Sequence, residues 1–159
     1  MVYVRTFHRG PAPAAPGDRL LLDYDARSKR RSRAKLASGR EVALQLPRGT
    51  LLADGDWLKA DDGTLILVSA AAEPLSTVRS DDPLLLARVA YHLGNRHVAV
   101  EVSEGVLKIT PDHVLRAMVE GLGAHVELAN QPFEPESGAY GGHVHDPVPT
   151  RFPRRPQVS

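Results

Sequence analysis

The stretch DDPLLLARVAYHLGN, residues 81–95, decides the fold class, because a helical period replaces an alternating one here. Its apolar side chains share one helical face: Leu86, Val89, Ala90 and Leu93. Asp81 or Asp82 can cap the N-terminus, and Pro83 suits the first turn. Gly94–Asn95 tolerate the left-handed conformation in which helices end. We therefore predict a helix over this stretch.

The residues that follow predict the rest of one domain. HVAVEVSEGVLKIT (97–110) is typical of a strand, a turn and a second strand, and TPDHVLRAMVEGLG (110–123) of a helix capped by Thr110 with Pro111 in its first turn. The apolar stripe of that helix would be Val114, Leu115, Met118, Val119 and Leu122. AHVELANQPFEPE closes with a strand, and Glu73 begins a stretch that can open with one. The order β-α-β-β-α-β over residues 73–136 predicts a ferredoxin-like domain.

Upstream of Glu73 the chain has the period of strands. EVALQLPRGT (41–50) places Val42, Leu44 and Leu46 on one face and polar or small side chains on the other. Glycines mark hairpin turns on both sides of it: Gly39, Gly55 and Gly63. These short, closely spaced strands predict a small all-β sandwich or barrel over residues 1–72, and hence an α+β chain of two domains.

The charge distribution supports this division. Residues 1–72 hold 12 Lys and Arg against 8 Asp and Glu, whereas residues 73–146 hold 5 against 11. Residues 137–159 are rich in Gly and Pro, which predicts a flexible, disordered tail. Three Arg lie near the end of that tail.

Composition indicates the cellular compartment and limits the types of metal site and catalysis that the chain can support. No apolar run approaches the ~18 residues that would span a bilayer, and the N-terminus lacks the apolar core of a secretory signal, so we expect a cytoplasmic protein without a membrane segment. The chain has no Cys, which excludes disulfides, thiolate nucleophiles and zinc fingers. A metal site would need imidazole, carboxylate or backbone ligands. No nucleophile or phosphate-binding motif is present, so we expect no enzyme activity.

Two histidines in GGHVHDP could bind a metal. His143 and His145 alternate, and the Gly pair before them would let both rings fold around one ion, with Asp146 adding an oxygen. Neutral imidazole suits Ni, Cu, Zn and Co. The alternative is that two tail histidines are incidental.

The spacing of the other histidines does not indicate a metal site formed by two of them in one chain. His92 and His97 are five residues apart, about 140° around a helix, and are poor joint chelators. His97 follows the helix end, and two copies of it across a dimer axis would make a bidentate site; otherwise it is a surface histidine. We expect His92 to be structural and His113 to be solvated unless it faces His97. His8 and His125 have no companion.

The segment RSKRRSRAK, residues 27–35, holds six basic side chains and no acidic one. Nucleic acid is one possible ligand, but few aromatics are available for stacking and the net charge is only +1. The basic side chains are better explained by a solvated hairpin face or by an acidic protein partner. We therefore expect no nucleic-acid binding.

Several motifs together resemble one family. AYHLGNRHV (90–98), DHVL (112–115) and QPFEPESGAYGGHVH (131–145) resemble UreE, a urease accessory protein. GREVALQLPRGTLLADGDWL and VSAAAEPLSTVR also look like the first domain of that family. The likeness covers roughly residues 20–146.

The resemblance implies a nickel metallochaperone that binds Ni²⁺ and delivers it for assembly of the urease active site. It implies a partner-binding first domain, a homodimer joined through the second domain, His97 as the interface ligand, and His143 and His145 as tail ligands. Zn²⁺ or Cu²⁺ could replace Ni²⁺ in vitro. The implied partners are the accessory GTPase UreG and the urease pre-activation complex. The alternative is a scaffold in urease assembly for which metal is secondary.

The sequence departs from some relatives in two ways. It has two tail histidines where they carry a long polyhistidine tail, so large-capacity storage is not expected. It has Pro111 where they place a histidine, whereas His113 is retained and could serve as an accessory ligand.

Overall fold

The structure, a computed structural model, describes residues 1–137 and contains two β-sheets and three helices in that range. The elements are β1 (Val2–His8), β2 (Asp18–Leu22), α1 (Tyr24–Ser28), β3 (Arg31–Lys35), β4 (Glu41–Gln45), β5 (Trp57–Ala60), β6 (Leu65–Ala70), β7 (Glu73–Arg79), α2 (Pro83–Asn95), β8 (Glu101–Ser103), β9 (Val106–Ile109), α3 (His113–Gly121) and β10 (His125–Gln131). Among the helices of this part of the chain, none is long and apolar enough to cross a bilayer.

The N-terminal sheet has six strands in the order β2-β6-β5-β1-β4-β3. It is mixed, because β1 pairs with β4 and β2 with β6 in parallel, while its other pairs are antiparallel. The register of β1 shifts between Val4 and Phe7, and the N–H of Ala37, after β3, donates to the carbonyl of Arg19 on β2 at the opposite edge, 2.8 Å away. The sheet thus bends back on itself around its own core.

The prediction of an all-β first domain omits α1. Asp23 caps this short helix by accepting a hydrogen bond from the N–H of Ala26 at 2.8 Å. Five residues are too few to show a helical period, and they overlap the basic segment that we interpreted as part of a hairpin. Only residues 31–35 of that segment form a strand.

The C-terminal sheet has four strands in the order β10-β7-β9-β8, and every neighbouring pair is antiparallel. α2 and α3 pack their apolar faces against the same side of it, because one core cluster joins side chains of both helices to strand residues. Its most buried members are Val78, Val89, Leu93, Leu107, Ile109 and Val119. The element order β-α-β-β-α-β is the predicted one.

The helix termini refine the predictions. Asp82 caps α2 through the N–H of Leu84, with Pro83 in the first turn as expected. Thr110 does not cap α3: the carboxylate of Asp112 accepts from two N–H groups of the first turn, so the helix begins at His113 and Pro111 lies before it.

Two other details of these helices differ from expectation. Val114 lies on the predicted apolar stripe of α3 but is 49% exposed, in the first turn of the helix. α2 continues through Gly94 and Asn95, and neither has a positive φ. The left-handed residue comes later, at His97.

A buried arginine joins the two domains. Arg27 of α1 is only 1% exposed, and its guanidinium donates to the carbonyls of Leu52 and Phe133 and to the carboxylate of Glu134 at 3.0 Å. Glu134 also accepts from the N–H of Asp54 at 2.9 Å. We call Arg27, Phe133 and Glu134 the interdomain clamp. Since Arg is rarely buried unless it is paired, these acceptors explain its position.

The segment 132–136, which contains Phe133 and Glu134 of the clamp, crosses the C-terminal sheet. It leaves β10 at one edge of the sheet and reaches β8 at the other, where Glu134 N–H donates to the carboxylate of Glu101 at 2.8 Å. Glu136 N–H then donates to the carbonyl of Val100, also at 2.8 Å. Three strand spacings separate these edges, about 14 Å. The segment crosses the face away from the helices, because Glu101 and its ion-pair partner Lys108 lie on that face.

We predict that Arg27→Ala lowers the free energy of unfolding by about 2–4 kcal/mol, because two buried carbonyls lose their donor and a charge pair is broken. Urea unfolding at constant protein concentration measures this loss. Arg31→Ala, the same change at an exposed strand position, is the control and should stay within about 0.5 kcal/mol of the unmodified chain. Equal losses for the two variants would contradict the clamp.

Candidate metal centre

His97 lies just past the C-terminus of α2 in an unusual backbone conformation. Its φ is 56°, and it is the one non-glycine residue with positive φ in residues 1–137. Its N–H donates to the carbonyl of Gly94 at 3.0 Å, which closes the last turn of the helix. Its side chain is exposed. The left-handed conformation is uncommon for residues with a side chain, although His adopts it more readily than most.

The N-terminus of α3 lies beside the residues that follow His97. A cavity of about 220 Å³ is lined by both segments, with Val98 and Ala99 on one side and Pro111 and Asp112 on the other. It is smaller than the roughly 300–1,000 Å³ of small-molecule pockets. His97 and His113 do not line the cavity, but each is the chain neighbour of a lining residue, Val98 and Asp112 respectively.

The charges around this cavity are mixed. Hydrogen bonds from the N–H groups of Leu115 and Val114, together with the nearby charges of His113 and Arg96, hold the pKa of Asp112 below its ordinary value of 3.8. The capping carboxylate is therefore ionised at neutral pH.

The other histidines of the described range have local partners. His92 is in the last turn of α2, with its ring edge-on to Tyr91 at 5.3 Å. His8 stacks on Trp57 with ring centroids 4.2 Å apart, and His125 lies 3.7 Å from the carboxylate of Glu127. Within residues 1–137, no group of three His, Asp or Glu side chains is placed to hold a metal ion.

The remaining predicted ligands, His143 and His145, lie outside the described residues, as do Asp146 and the rest of the tail. Of the three residues proposed as ligands from sequence, the structure thus describes His97. His113, named as an accessory ligand, is exposed at the first position of α3.

The basic segment 27–35 divides into three structural environments. Arg27 is buried in the clamp, and Lys29 pairs with Asp25 one helical turn before it. Arg31, Arg33 and Lys35 alternate along β3, at the edge of the six-stranded sheet, with their side chains exposed on its outer face. The clamp was not predicted, because its partners lie about a hundred residues further along the chain.

The chain matches two family models, one for each domain. Residues 4–71 match the N-terminal domain of the UreE urease accessory protein, and residues 73–151 match its C-terminal domain. These matches, with the two-domain fold, define a urease accessory protein. The chain belongs to the UreE family.

Individual relatives agree with this assignment. Over 130 residues, 80% of this chain, it is 58% identical to the urease accessory protein UreE of Burkholderia thailandensis and 55% identical to that of Burkholderia ambifaria. A third relative, UreE of Burkholderia pseudomallei, is also 58% identical. The matched residues span 61% to 64% of the length of these curated relatives.

We predict that metal-free His97→Gly is more stable than metal-free His97→Ala by about 0.5–1 kcal/mol. Alanine carries the full cost of the left-handed conformation, whereas glycine does not, although glycine loses more chain entropy on folding. Urea unfolding of both variants measures the difference. If His97→Ala were the more stable of the two, the left-handed helix end would be wrong.

We predict that Asp112→Ala lowers the thermal midpoint at neutral pH and that the difference narrows in acid, where the protonated carboxyl group keeps only a neutral capping oxygen. The folded-state pKa of Asp112 is lowered, so the stabilisation that depends on its charge is complete above pH 3.8 and is lost as the pH falls through that lowered value. Thermal melts from pH 7 to pH 2 test this. Asp112→Asn, which retains a neutral capping oxygen, is the matched control and should change much less between pH 7 and pH 2. A gap between Asp112→Ala and the unmodified chain that does not narrow at pH 2 would contradict the role of the carboxylate charge.

Proposed function

We propose that this chain is a nickel metallochaperone for urease maturation. Two copies would bind Ni²⁺ between their His97 imidazoles, and His143 or His145 would complete the coordination. The ion is cargo, which would pass to the accessory GTPase UreG and the urease pre-activation complex. The observation that carries the proposal is the exposed imidazole of His97, presented at a helix end in a chain of the UreE family.

The donor chemistry fits this cargo. Neutral imidazole is a good ligand for Ni²⁺, and the chain has no Cys that would favour softer ions. One imidazole is a weak site, whereas two related by a dyad contribute two ligands and leave other positions open. Open positions suit a carrier, which must bind the ion and still release it, and we expect a Kd of about 1 μM, equivalent to about −8 kcal/mol. Zn²⁺ and Cu²⁺ would compete for the same donors in vitro.

Exposed apolar side chains support a homodimer through the second domain. Leu84 and Tyr91 on α2 are 68% and 65% exposed, and they are seven residues apart, so they share one helical face. Val102 and Val114, on β8 and α3, are also exposed. Burial of these side chains in a second copy would supply the hydrophobic energy of association.

The last residues before the tail lie close to His97. Glu136 is fixed to Val100, which is three residues from His97 and therefore at most about 11 Å from it along the chain. His143 is seven residues beyond Glu136, a span of at most about 25 Å. Chain length alone thus allows a tail imidazole to reach His97 of its own copy or of a second copy.

The remaining assignments form part of the same proposal. We interpret the antiparallel β10-β7-β9-β8 sheet as a ferredoxin-like domain over residues 73–136 that binds metal and dimerises. Residues 1–72 would bind protein partners, and residues 137–159 would form the histidine-bearing tail. We propose that the protein works in the cytoplasm and is not itself an enzyme.

The basic side chains of β3 favour one second candidate, a scaffold in urease assembly. Arg31, Arg33 and Lys35 form no ion pair within residues 1–137 and present three positive charges on one exposed strand face. An acidic surface of another assembly protein would complement them. In this reading metal binding is secondary.

We predict that titration calorimetry of the full chain with Ni²⁺ at pH 7.5 gives one tight ion per two chains. His97→Gly should weaken binding at least tenfold without disturbing the helix end, and truncation after Tyr140 should weaken it severalfold. Lowering the pH to 5.5 should also weaken binding, since histidines generally titrate near pH 6.5 and a protonated ring cannot ligate.

Three outcomes would contradict this scheme. Binding that survives His97→Gly but is lost on truncation would move the site to the tail. Affinity unchanged at pH 5.5 would exclude histidine ligation. If urease activation in a reconstituted assembly tolerates His97→Gly but fails when Arg31, Arg33 and Lys35 are changed to Glu, the scaffold is the better function. Glu substitutions at Arg48, Lys59 and Arg79 are the control for net charge.

A further inference from the structure

We propose that Arg27 and Glu134 are positioning residues for the tail ligands, because the interdomain clamp decides from which edge of the C-terminal sheet the tail departs. This inference rests on the proposed function, in which the tail histidines complete the metal site. It concerns residues of the first domain and of the segment before the tail, none of which is itself a ligand.

The direction of the chain after β10 shows why a clamp is needed. β10 and β8 are the two edge strands of the sheet, and the residues that lead to His97 adjoin β8. A tail that left the sheet directly at Gln131 would start at the β10 edge, about 14 Å from the β8 edge that adjoins His97. Instead, residues 132–136 cross the sheet and end on Val100.

The contacts that hold this crossing come from both domains. Phe133 is fully buried, and its ring packs edge-on against Tyr24 of α1 at 5.3 Å. Its carbonyl accepts from the guanidinium of Arg27. Glu134 is held on three sides, by Arg27, by the N–H of Asp54 and, through its own N–H, by Glu101.

The junction has one further link, at the beginning of β7. The carboxylate of Glu73 accepts from the N–H of Tyr24 at 2.9 Å, so both ends of the C-terminal sheet domain contact α1. α1 is thus the part of the first domain that both the entering and the departing chain touch. The first domain would contribute to metal binding by holding the tail in position.

Releasing the clamp has a calculable consequence. The tether to His143 would grow from seven residues, counted from Glu136, to twelve, counted from Gln131, and its root would move to the far edge. The effective concentration of a tethered ligand falls at least as the −3/2 power of tether length, and faster when the root moves away. We expect nickel affinity to fall by about threefold to tenfold, similar to the loss on truncation.

Glu134→Ala is the most informative variant, since its side chain is 41% exposed and Arg27 keeps its two carbonyl acceptors when the carboxylate is removed. Glu136→Ala is the matched control: the same change two residues on, where the backbone N–H to Val100 is retained. Because the chain has no Cys, spin labels can be placed at Ser103→Cys and Ser137→Cys alone, on β8 and at the root of the tail. Arg27→Met is the second clamp variant.

The first measurement is the label-to-label distance by pulsed electron spin resonance on the metal-free full chain. We expect a narrow distribution in the unmodified background and in Glu136→Ala. Both clamp variants should give a broader and longer one. Unchanged distances in well-folded Glu134→Ala would overturn the clamp, whatever the metal result.

The second measurement is nickel titration of the same variants with and without truncation after Tyr140. Truncation should weaken nickel binding by the unmodified chain but cause little further loss in Glu134→Ala, because the tail ligands are already misplaced in that variant. If the clamp had a purely structural role, the losses of nickel affinity from the two changes would be additive. Additive losses would overturn the positioning role. If truncation has no effect on the unmodified chain, the proposed tail ligands are wrong, and the distances still report separately on the clamp.

Discussion

The buried guanidinium of Arg27 is the constraint on which the arrangement of both domains depends. Removing such a group from water is costly, and only acceptors fixed in advance can offset that cost. Here they come from a loop of the first domain and from the segment that follows the last strand of the second. Together with the links from Tyr24 to Glu73 and Phe133, this side chain favours one way for the two sheets to meet.

The candidate metal centre has the opposite character. His97 is exposed, at a helix end, beside a shallow cavity and a capping carboxylate. A site for permanent metal would enclose the ion with several ligands from one chain, whereas a ligand at the surface can be shared and exchanged. Under the proposed function, an accessible donor on a rigid support would suit an ion that is passed on to a partner.

How far the sequence predicts this structure depends on the range of the interactions involved. Periodicity predicts the strand around Val42 and Leu44 and the helix around Val89 and Leu93, because the buried face of each element shows in its own sequence. The cap of α3 was assigned two residues early, since Thr110 and Asp112 are both acceptable caps and only geometry selects one. The clamp could not be predicted, as nothing local links Arg27 to Glu134. The choice of His97 as a ligand rests on the resemblance and stays a prediction, and its left-handed φ is not apparent from the sequence, where Gly94–Asn95 are the expected helix end.

That backbone conformation has an evolutionary consequence. Position 97 accepts glycine, asparagine or aspartate at no greater conformational cost than histidine, and the last two are one nucleotide away from a histidine codon. A lineage can therefore lose the imidazole while the fold stays unchanged. If the proposed function holds, selection that keeps histidine at this position acts through the ion that the ring binds and not through the fold.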